Sequence, residues 1–205
     1  MDRASAATVT RLSSYFRILG DLERQGERTV SSEGLAERGG ITSAQVRKDL
    51  SCFGSFGRRG MGYNVRRLRL EIGAILGLTR RWSVALLGAG NLGQALFAYK
   101  EFAKHGFCID HVFDVDPAKV GQSWDGITIA HVGALPGIVA ERRIDIAILA
   151  VPVQVAQEVA AAVVAAGIRA ILNFTPTKLD IPSEVSLRNV DLSFAMESLS
   201  YALSK

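Results

Sequence analysis

The sequence predicts an α/β protein in two parts, a winged helix-turn-helix followed by a doubly wound parallel sheet that ends in a C-terminal helix. Three observations carry the prediction. The chain through residue 80 holds helix-period apolar patterns and a basic, glycine-rich stretch. The remainder alternates short apolar runs with helical patterns, which implies a parallel sheet covered on both faces. A glycine-spaced turn, "GAGNLG", joins the first of those runs to the first of those helices.

Composition bounds the reading. At 205 residues the chain is long enough for one large domain or two small ones, and 48% apolar with 21% charged residues is ordinary for a folded chain. No apolar run approaches the roughly 20 residues that span a bilayer. The polar start "MDRASAATVTR" does not read as a secretory signal, so a cytoplasmic location is expected. Cys52 and Cys108 stand in no CxxC or zinc-like spacing, which leaves them as thiols and gives no metal site. Charge is unevenly placed: 14 Lys and Arg against 8 Asp and Glu through residue 80, and 10 against 12 beyond it. Within 42–69 the only acid is Asp49, against Arg47, Lys48, Arg58, Arg59, Arg66, Arg67 and Arg69. Such asymmetry points the first part at a polyanion.

The elements follow in order. "RLSSYFRILGDLERQG" sets Leu12, Tyr15, Phe16, Leu19 and Leu22 at helical spacing, with Gly26 as a stop. "SSEGLAERGG" is a short helix with serines to cap it and a Gly-Gly end. "TSAQVRKDLSCF" opens with Thr42 and Gln45 in capping-box spacing. These two helices and their tight turn form a helix-turn-helix, about 15–54 with the helix before it. On the second, Val46, Leu50 and Phe53 share an inward arc, while Ala44, Arg47, Lys48 and Ser51 share the opposite one. Small residues allow close approach to a major groove, and Arg and Lys donate to guanine edges and phosphates. "FGSFGRRGMGYNV" is expected as a β-hairpin wing with Arg58 and Arg59 near its tip, suited to a narrow minor groove. "RRLRLEIGAILGL" closes the first domain, residues 1–79, as a helix with Leu68, Ile72, Ile75 and Leu76 inward.

In the second part "WSVALLGAGNLGQALFAY" is strand, turn and helix, "CIDHVFDVDP" a strand ending in acid, "IDIAILAVP" a buried strand, "AQEVAAAVVAAG" a helix stopped at Gly167, and "IRAILNFTP" a further strand. Gly88, Gly90 and Gly93 therefore occupy the context that a Rossmann-type dinucleotide turn requires, residues 88–93 (Gly88, Ala89, Gly90, Asn91, Leu92, Gly93). Asp114 ends the next strand, where a carboxylate accepts from both ribose hydroxyls and repels a 2′-phosphate, favouring NAD(H) over NADP(H). Lys119 nearby counts against that preference. His105, His111 and His131 fall in no acid/base pairing, and Tyr99-Lys100 lacks the YxxxK spacing, so no catalytic residue is expected.

The two parts in this order resemble the Rex family of bacterial redox-sensing repressors. The resemblance rests on "SSEGLAERGGITSAQVRKDLSCFGSFGRRGMGYNV", "LLGAGNLGQAL", "FDVDPAKVG", "ILNFTP" and "NVDLSF", which span nearly the whole chain. It implies a homodimer that binds an inverted-repeat operator and releases it when NADH occupies the Rossmann-type domain, residues 80–192. It also implies a C-terminal helix, 193–205, exchanged between subunits through Phe194, Leu199, Tyr201 and Leu203; packing on its own domain is the other reading of that helix. The resemblance places Arg47, Lys48, Arg58 and Arg59 at DNA, Gly88–Gly93 and Asp114 at the dinucleotide, Tyr99 near the nicotinamide, and Arg17 and Asp191 in an intersubunit ion pair. Cys52 replaces an aromatic residue common in the family, and Leu192 stands where some relatives carry phenylalanine. An apolar pocket walled by Val151, Pro152, Phe174 and Leu192 would favour neutral NADH over cationic NAD⁺, which competes for the same site. The alternatives are a small NAD-dependent oxidoreductase with an accessory DNA-binding domain, and a regulator that binds coenzyme A or another nucleotide.

Overall fold

The structure is a computed structural model that describes residues 5–56 and 61–204. Two compact units divide after Arg80.

In the first unit α1 (Ala6–Arg24) starts where the Ser5 side chain accepts from the Thr8 N–H. Leu12, Tyr15, Leu19 and Leu22 are buried along one face, and Gly26 leaves the helix at φ +81°. A short strand β1 (Thr29–Val30) precedes α2 (Ser32–Gly39), which Ser31 caps and left-handed Gly40 ends. Then comes α3 (Ser43–Ser51), capped by Thr42. Val46 and Leu50 of α3 enter the core, while Ala44, Arg47, Lys48 and Ser51 stay exposed. Only half of the expected capping box forms. Gln45 turns its amide away from Thr42 and donates to Asp49 Oδ1 at 2.8 Å.

Asp49 is the main departure in this unit. It is 1% exposed. Arg11 donates to both of its oxygens, from Nε at 2.6 Å and from Nη2 at 2.7 Å, and the Tyr15 hydroxyl adds a bond at 2.8 Å. Four donors from α1 and α3 thus enclose one carboxylate. Burial is the largest single influence and would raise its pKa, but the bonds from Arg11, Tyr15 and Gln45 outweigh it and hold Asp49 below the usual carboxylate range. The same burial, with the Asp49 charge, pushes the Tyr15 phenol upward.

The wing differs from expectation. Strand β2 (Tyr63–Asn64) pairs antiparallel with β1, Val30 opposite Tyr63, and residues 54–56 form no strand. The stretch before the glycines has no alternating apolar pattern to pair, whereas Tyr63 meets the apolar Val30. Gly62 makes the crossing possible at φ +71°, since a Cβ there would lie 2.6 Å from the Val30 carbonyl oxygen. Arg58 and Arg59 lie outside the described residues. Helix α4 (Val65–Ile75) buries Leu68 and Ile72 and half-buries Leu76, but Ile75 faces solvent where the helix ends.

The second unit is one sheet with helices on both faces. Its strands are β3 (Trp82–Leu87), β4 (Phe107–Asp114), β5 (Ser123–Trp124), β6 (Ile127–His131), β7 (Ile146–Leu149), β8 (Ala170–Asn173) and β9 (Ser186–Asn189), in the spatial order β5-β6-β4-β3-β7-β8-β9. All neighbours are parallel except the edge pair β5–β6. Side chains alternate: Ala85 and Leu87 of β3 enter one apolar cluster, Val84 and Leu86 the other. Helices α5 (Asn91–Phe97), α6 (Glu101–Lys104), α7 (Leu135–Glu141) and α8 (Val153–Ala165) supply the cover. Strand order reverses between β3 and β7, and the crevice outside their carboxyl ends is where such sheets take ligands.

Helix α9 (Leu192–Leu203) follows Asp191, whose Oδ1 accepts from the Ser193 and Phe194 N–H groups. Phe194, Met196, Leu199, Tyr201 and Leu203 are all exposed, from 60% to 89%. Within the single chain, its own domain leaves these side chains more than half uncovered.

Replacing Asp49 by Ala leaves Arg11 and Tyr15 without their acceptor and is expected to cost about 3–5 kcal/mol, as loss of one buried partner does. Tyr15→Phe should cost about 1–3 kcal/mol. Because Asp49 titrates lower folded than unfolded, its contribution is complete above the unfolded value of about 3.9 and disappears as pH falls through the lower folded value. Urea unfolding at pH 7 and pH 3, followed by circular dichroism, reads both effects: the wild-type advantage over Asp49→Ala must shrink at the lower pH.

Candidate dinucleotide site and nucleic-acid interface

The glycine turn is shaped by close approach. Gly88 takes φ +103°, and a Cβ there would meet the Ala150 carbonyl oxygen at 2.4 Å. At Gly93 a Cβ would lie 1.9 Å from the Gly88 carbonyl oxygen, so the helix can seat on the strand only with glycine in that place. Gly90 has nothing within 4 Å of its missing side chain and precedes α5, whose first N–H groups have no side-chain cap. A phosphate can approach the backbone there.

Asp114 ties the turn to the next strand. Its Oδ2 accepts from the Ala89 N–H at 2.7 Å and from Lys119 Nζ at 3.2 Å, and its Oδ1 accepts from the Asp116 N–H at 2.9 Å. Burial acts most strongly and upward on its pKa, but the two backbone donors and the Lys119 ammonium together keep the carboxyl below its ordinary range. It is an anion near neutral pH, with lone-pair capacity left on Oδ1.

A cavity of about 700 Å³ opens above these groups. Gly88, Gly90, Asn91, Leu92, Asp114, Val151, Pro152 and Phe174 line it as expected. Ala89 and Gly93 are buried beneath, one holding Asp114 and the other seating α5. Tyr99 and Leu192 are not among the lining residues. Tyr99 lies beyond the end of α5, half exposed, with its ring edge-on to Phe102 at 5.1 Å. Leu192 opens α9 and is 66% exposed. The cavity also takes Val115, Asp116, Lys119, Val132, Val153, Val155, Glu158 and Thr175, which the sequence reading left out as lining. Asn173 was the available signal for the last part of the wall. Fully buried at the end of an apolar strand, it donates to the carbonyls of Thr175 and Thr177 and to Asn189, fixing the loop that presents Phe174.

One end of the cavity is thus polar, with Asp114, Asp116 and Lys119, and another is apolar, with Val151, Pro152 and Phe174. That division fits a dinucleotide: diol at the carboxylate, pyrophosphate at Gly90, and an uncharged ring at the apolar wall. Among the described residues no histidine lines it. His131 Nδ1 accepts from the Gly133 N–H, and His111 Nδ1 pairs with Asp110.

In the first unit the exposed face of α3 presents Ala44, Arg47, Lys48 and Ser51 together. Arg47 Nη1 lies 3.3 Å from Glu33 Oε1 on α2, and the Ser51 hydroxyl donates to the Lys48 carbonyl. The one acid of α3 is turned into the core, so α3 itself contributes only positive charge to the face, with Glu33 of α2 beside Arg47. Arg17 is exposed on α1, Asp191 is committed to capping α9, and Cys52 is a free, exposed thiol.

Comparison with known proteins divides the chain in the same way. Residues 79–177 match the family model described as "CoA binding domain", and residues 4–51 match "Putative DNA-binding protein N-terminus". A redox-sensing transcriptional repressor Rex from Desulfitobacterium hafniense is 48% identical over 95% of this chain and 93% of its own. The crystal structure of RSP, a Rex-family repressor, with β-NAD⁺ and operator DNA superposes at a TM-score of 0.94, with 39% identity over 99% of this chain and 94% of that one. RSP with β-NADH gives 0.90 at 38% identity, covering 99% and 95%.

Two substitutions separate the roles of the glycines. Gly93→Ala is expected to destabilise the second unit by about 1–3 kcal/mol through overpacking. Gly90→Ala should leave unfolding within about 0.5 kcal/mol of wild type, as in open space, while closing the approach to the turn. Urea denaturation alongside nucleotide titration of each variant checks the contrast.

Proposed function

The chain belongs to the Rex family of redox-sensing transcriptional repressors, and on that premise we propose that it binds an inverted-repeat operator as a homodimer and leaves it when NADH fills the cavity. The observation that carries this reading is one chain joining an all-basic recognition face on α3 to a dinucleotide cavity with an apolar end. The relatives are repressors and not enzymes, and the oxidoreductase alternative is set aside with them.

The proposed labour divides by residue. The domain of residues 1–79 meets DNA through Ala44, Arg47, Lys48 and Ser51 in the major groove, with Arg58 and Arg59 assigned to the minor groove. The domain of residues 80–192 holds the dinucleotide: pyrophosphate at Gly88–Gly93, ribose at Asp114, nicotinamide against Val151, Pro152 and Phe174. Residues 193–205 exchange between subunits, so that the partner subunit covers the apolar face of α9, with Arg17 and Asp191 paired across the interface. Action at DNA places the protein in the cytoplasm, and among the described residues no helix is long and apolar enough to cross a membrane.

The sign of the response follows from charge. Oxidised nicotinamide is a cation and reduced nicotinamide is neutral, so an apolar wall penalises NAD⁺ by desolvation while both share the adenosine contacts. DNA and NADH favour different dimer arrangements, so each weakens the other by the same factor, typically about 1–3 kcal/mol. The match to a coenzyme A domain model favours a second ligand. Asp114 and Asp116 oppose the extra phosphate of that molecule, and coenzyme A should fail to displace NADH.

Three measurements test the proposal. Anisotropy of a labelled palindromic operator, titrated with each nucleotide, should show release by NADH at concentrations where NAD⁺ does little; if neither moves the DNA, the reading is wrong. Asp114→Ala should weaken both nucleotides by about 10- to 100-fold, the value of hydrogen bonds to a charged group, whereas Phe174→Glu should narrow the difference between them. Light scattering after gel filtration should find a dimer for the full chain and a monomer after Leu199→Glu with Tyr201→Glu, and that monomer should lose operator affinity.

A further inference from the structure

Glu33 makes a contact that the operator reading does not use. It lies in the first turn of α2, where a helix N-terminus favours negative charge. Its own backbone N–H and the Ser31 hydroxyl are the strongest influences that lower its pKa from the usual carboxylate value, with Arg47 after them. From there Oε1 reaches across the helix-turn-helix to Nη1 of Arg47 at 3.3 Å. Both side chains are more than half exposed, 69% and 54%, so the pair contributes little to stability. Its consequence lies in what Arg47 does when a polyanion arrives.

Non-specific complexes are held by phosphate contacts and released counterions, and a fixed carboxylate on the contact face subtracts from both. An arginine already paired must also give up that pair before it can serve a phosphate. At a matched site Arg47 gains a bidentate bond to a guanine edge, which offsets the loss. A penalty that falls mainly on the wrong mode widens discrimination. Resting on the operator reading above, we propose that Glu33 is a specificity-determining residue of the DNA-binding face: it restrains Arg47 and repels backbone phosphate, so that only sites offering base contacts to Arg47 are held tightly.

The test uses full-length wild type, Glu33→Gln, Arg47→Ala and the double variant. The probes are an inverted-repeat duplex that wild type enriches from a random pool and the same duplex with its bases shuffled, each followed by anisotropy across a salt series. Glu33→Gln should tighten the shuffled duplex by about fivefold for each Glu33 at physiological salt and steepen log K against log salt by about 0.9 for each. The enriched duplex should gain less, so its preference falls by about threefold or more. With Arg47→Ala already present, Glu33→Gln should leave the preference unchanged. Equal gains on both duplexes, or the same fall in preference without Arg47, overturns the proposal. If wild type enriches no inverted repeat, the operator reading itself fails and takes this proposal with it, whereas a preference lost in Arg47→Ala but untouched in Glu33→Gln refutes only the latter. Should Glu33→Gln melt early, Glu33→Ala must reproduce both changes, and its failure to do so also refutes the role.

Discussion

The first unit depends on a carboxylate taken out of water. Asp49 is enclosed by Arg11, Tyr15 and Gln45, and a charge so placed is tolerated only while its donors remain in position. Apolar packing of Leu12, Val46 and Leu50 would hold α1 against α3 in more than one register. A bidentate guanidinium and a phenol aimed at one carboxylate accept far fewer. The position of α3 is therefore set by α1, from the side away from its exposed residues. Turning the acid inward also leaves the outward face of α3 with cations and small side chains alone.

Asp114 repeats the device in the second unit with different partners. It too is buried and ionised, but backbone N–H groups and Lys119 replace the guanidinium. One of those N–H groups belongs to Ala89, inside the glycine turn. The residue proposed to hold the ribose thus also holds the loop proposed to hold the phosphates, and the two subsites are mechanically one.

What could be read from the sequence was whatever is local. Helix periods, the caps at Thr42 and Ser31, the left-handed stop at Gly40 and the glycine turn after β3 depend on a few consecutive residues, and the structure has each of them. Asp49 was within reach of the same arithmetic. At about 100° per residue it falls about 60° from Val46, on the inward side, but an acid counted among basic neighbours reads as solvated until Arg11 is known to lie opposite. The partner of β2 was out of reach, because Val30 is brought to Tyr63 only by the folding of two intervening helices. Tyr99 and Leu192 lie outside the lining of the cavity for another reason. A position in the chain says little about the direction of a side chain once a helix has ended or a new one has begun. Of the cavity, the turn, Asp114 and the three apolar wall residues were legible; Val132 and Val155 were not, since they come from segments with no motif of their own.

The bond from Ala89 to Asp114 joins two groups of the protein itself, so the shape of the turn is held from within the chain. Loops that order on binding slow association and surrender affinity to entropy. A turn held by the protein's own groups spares the nucleotide that delay, and occupancy is then governed by how quickly the nucleotide leaves. For a protein that follows a fluctuating metabolite, this separates two times: the rise is met at the pace of encounter, and the memory of it lasts as long as one residence.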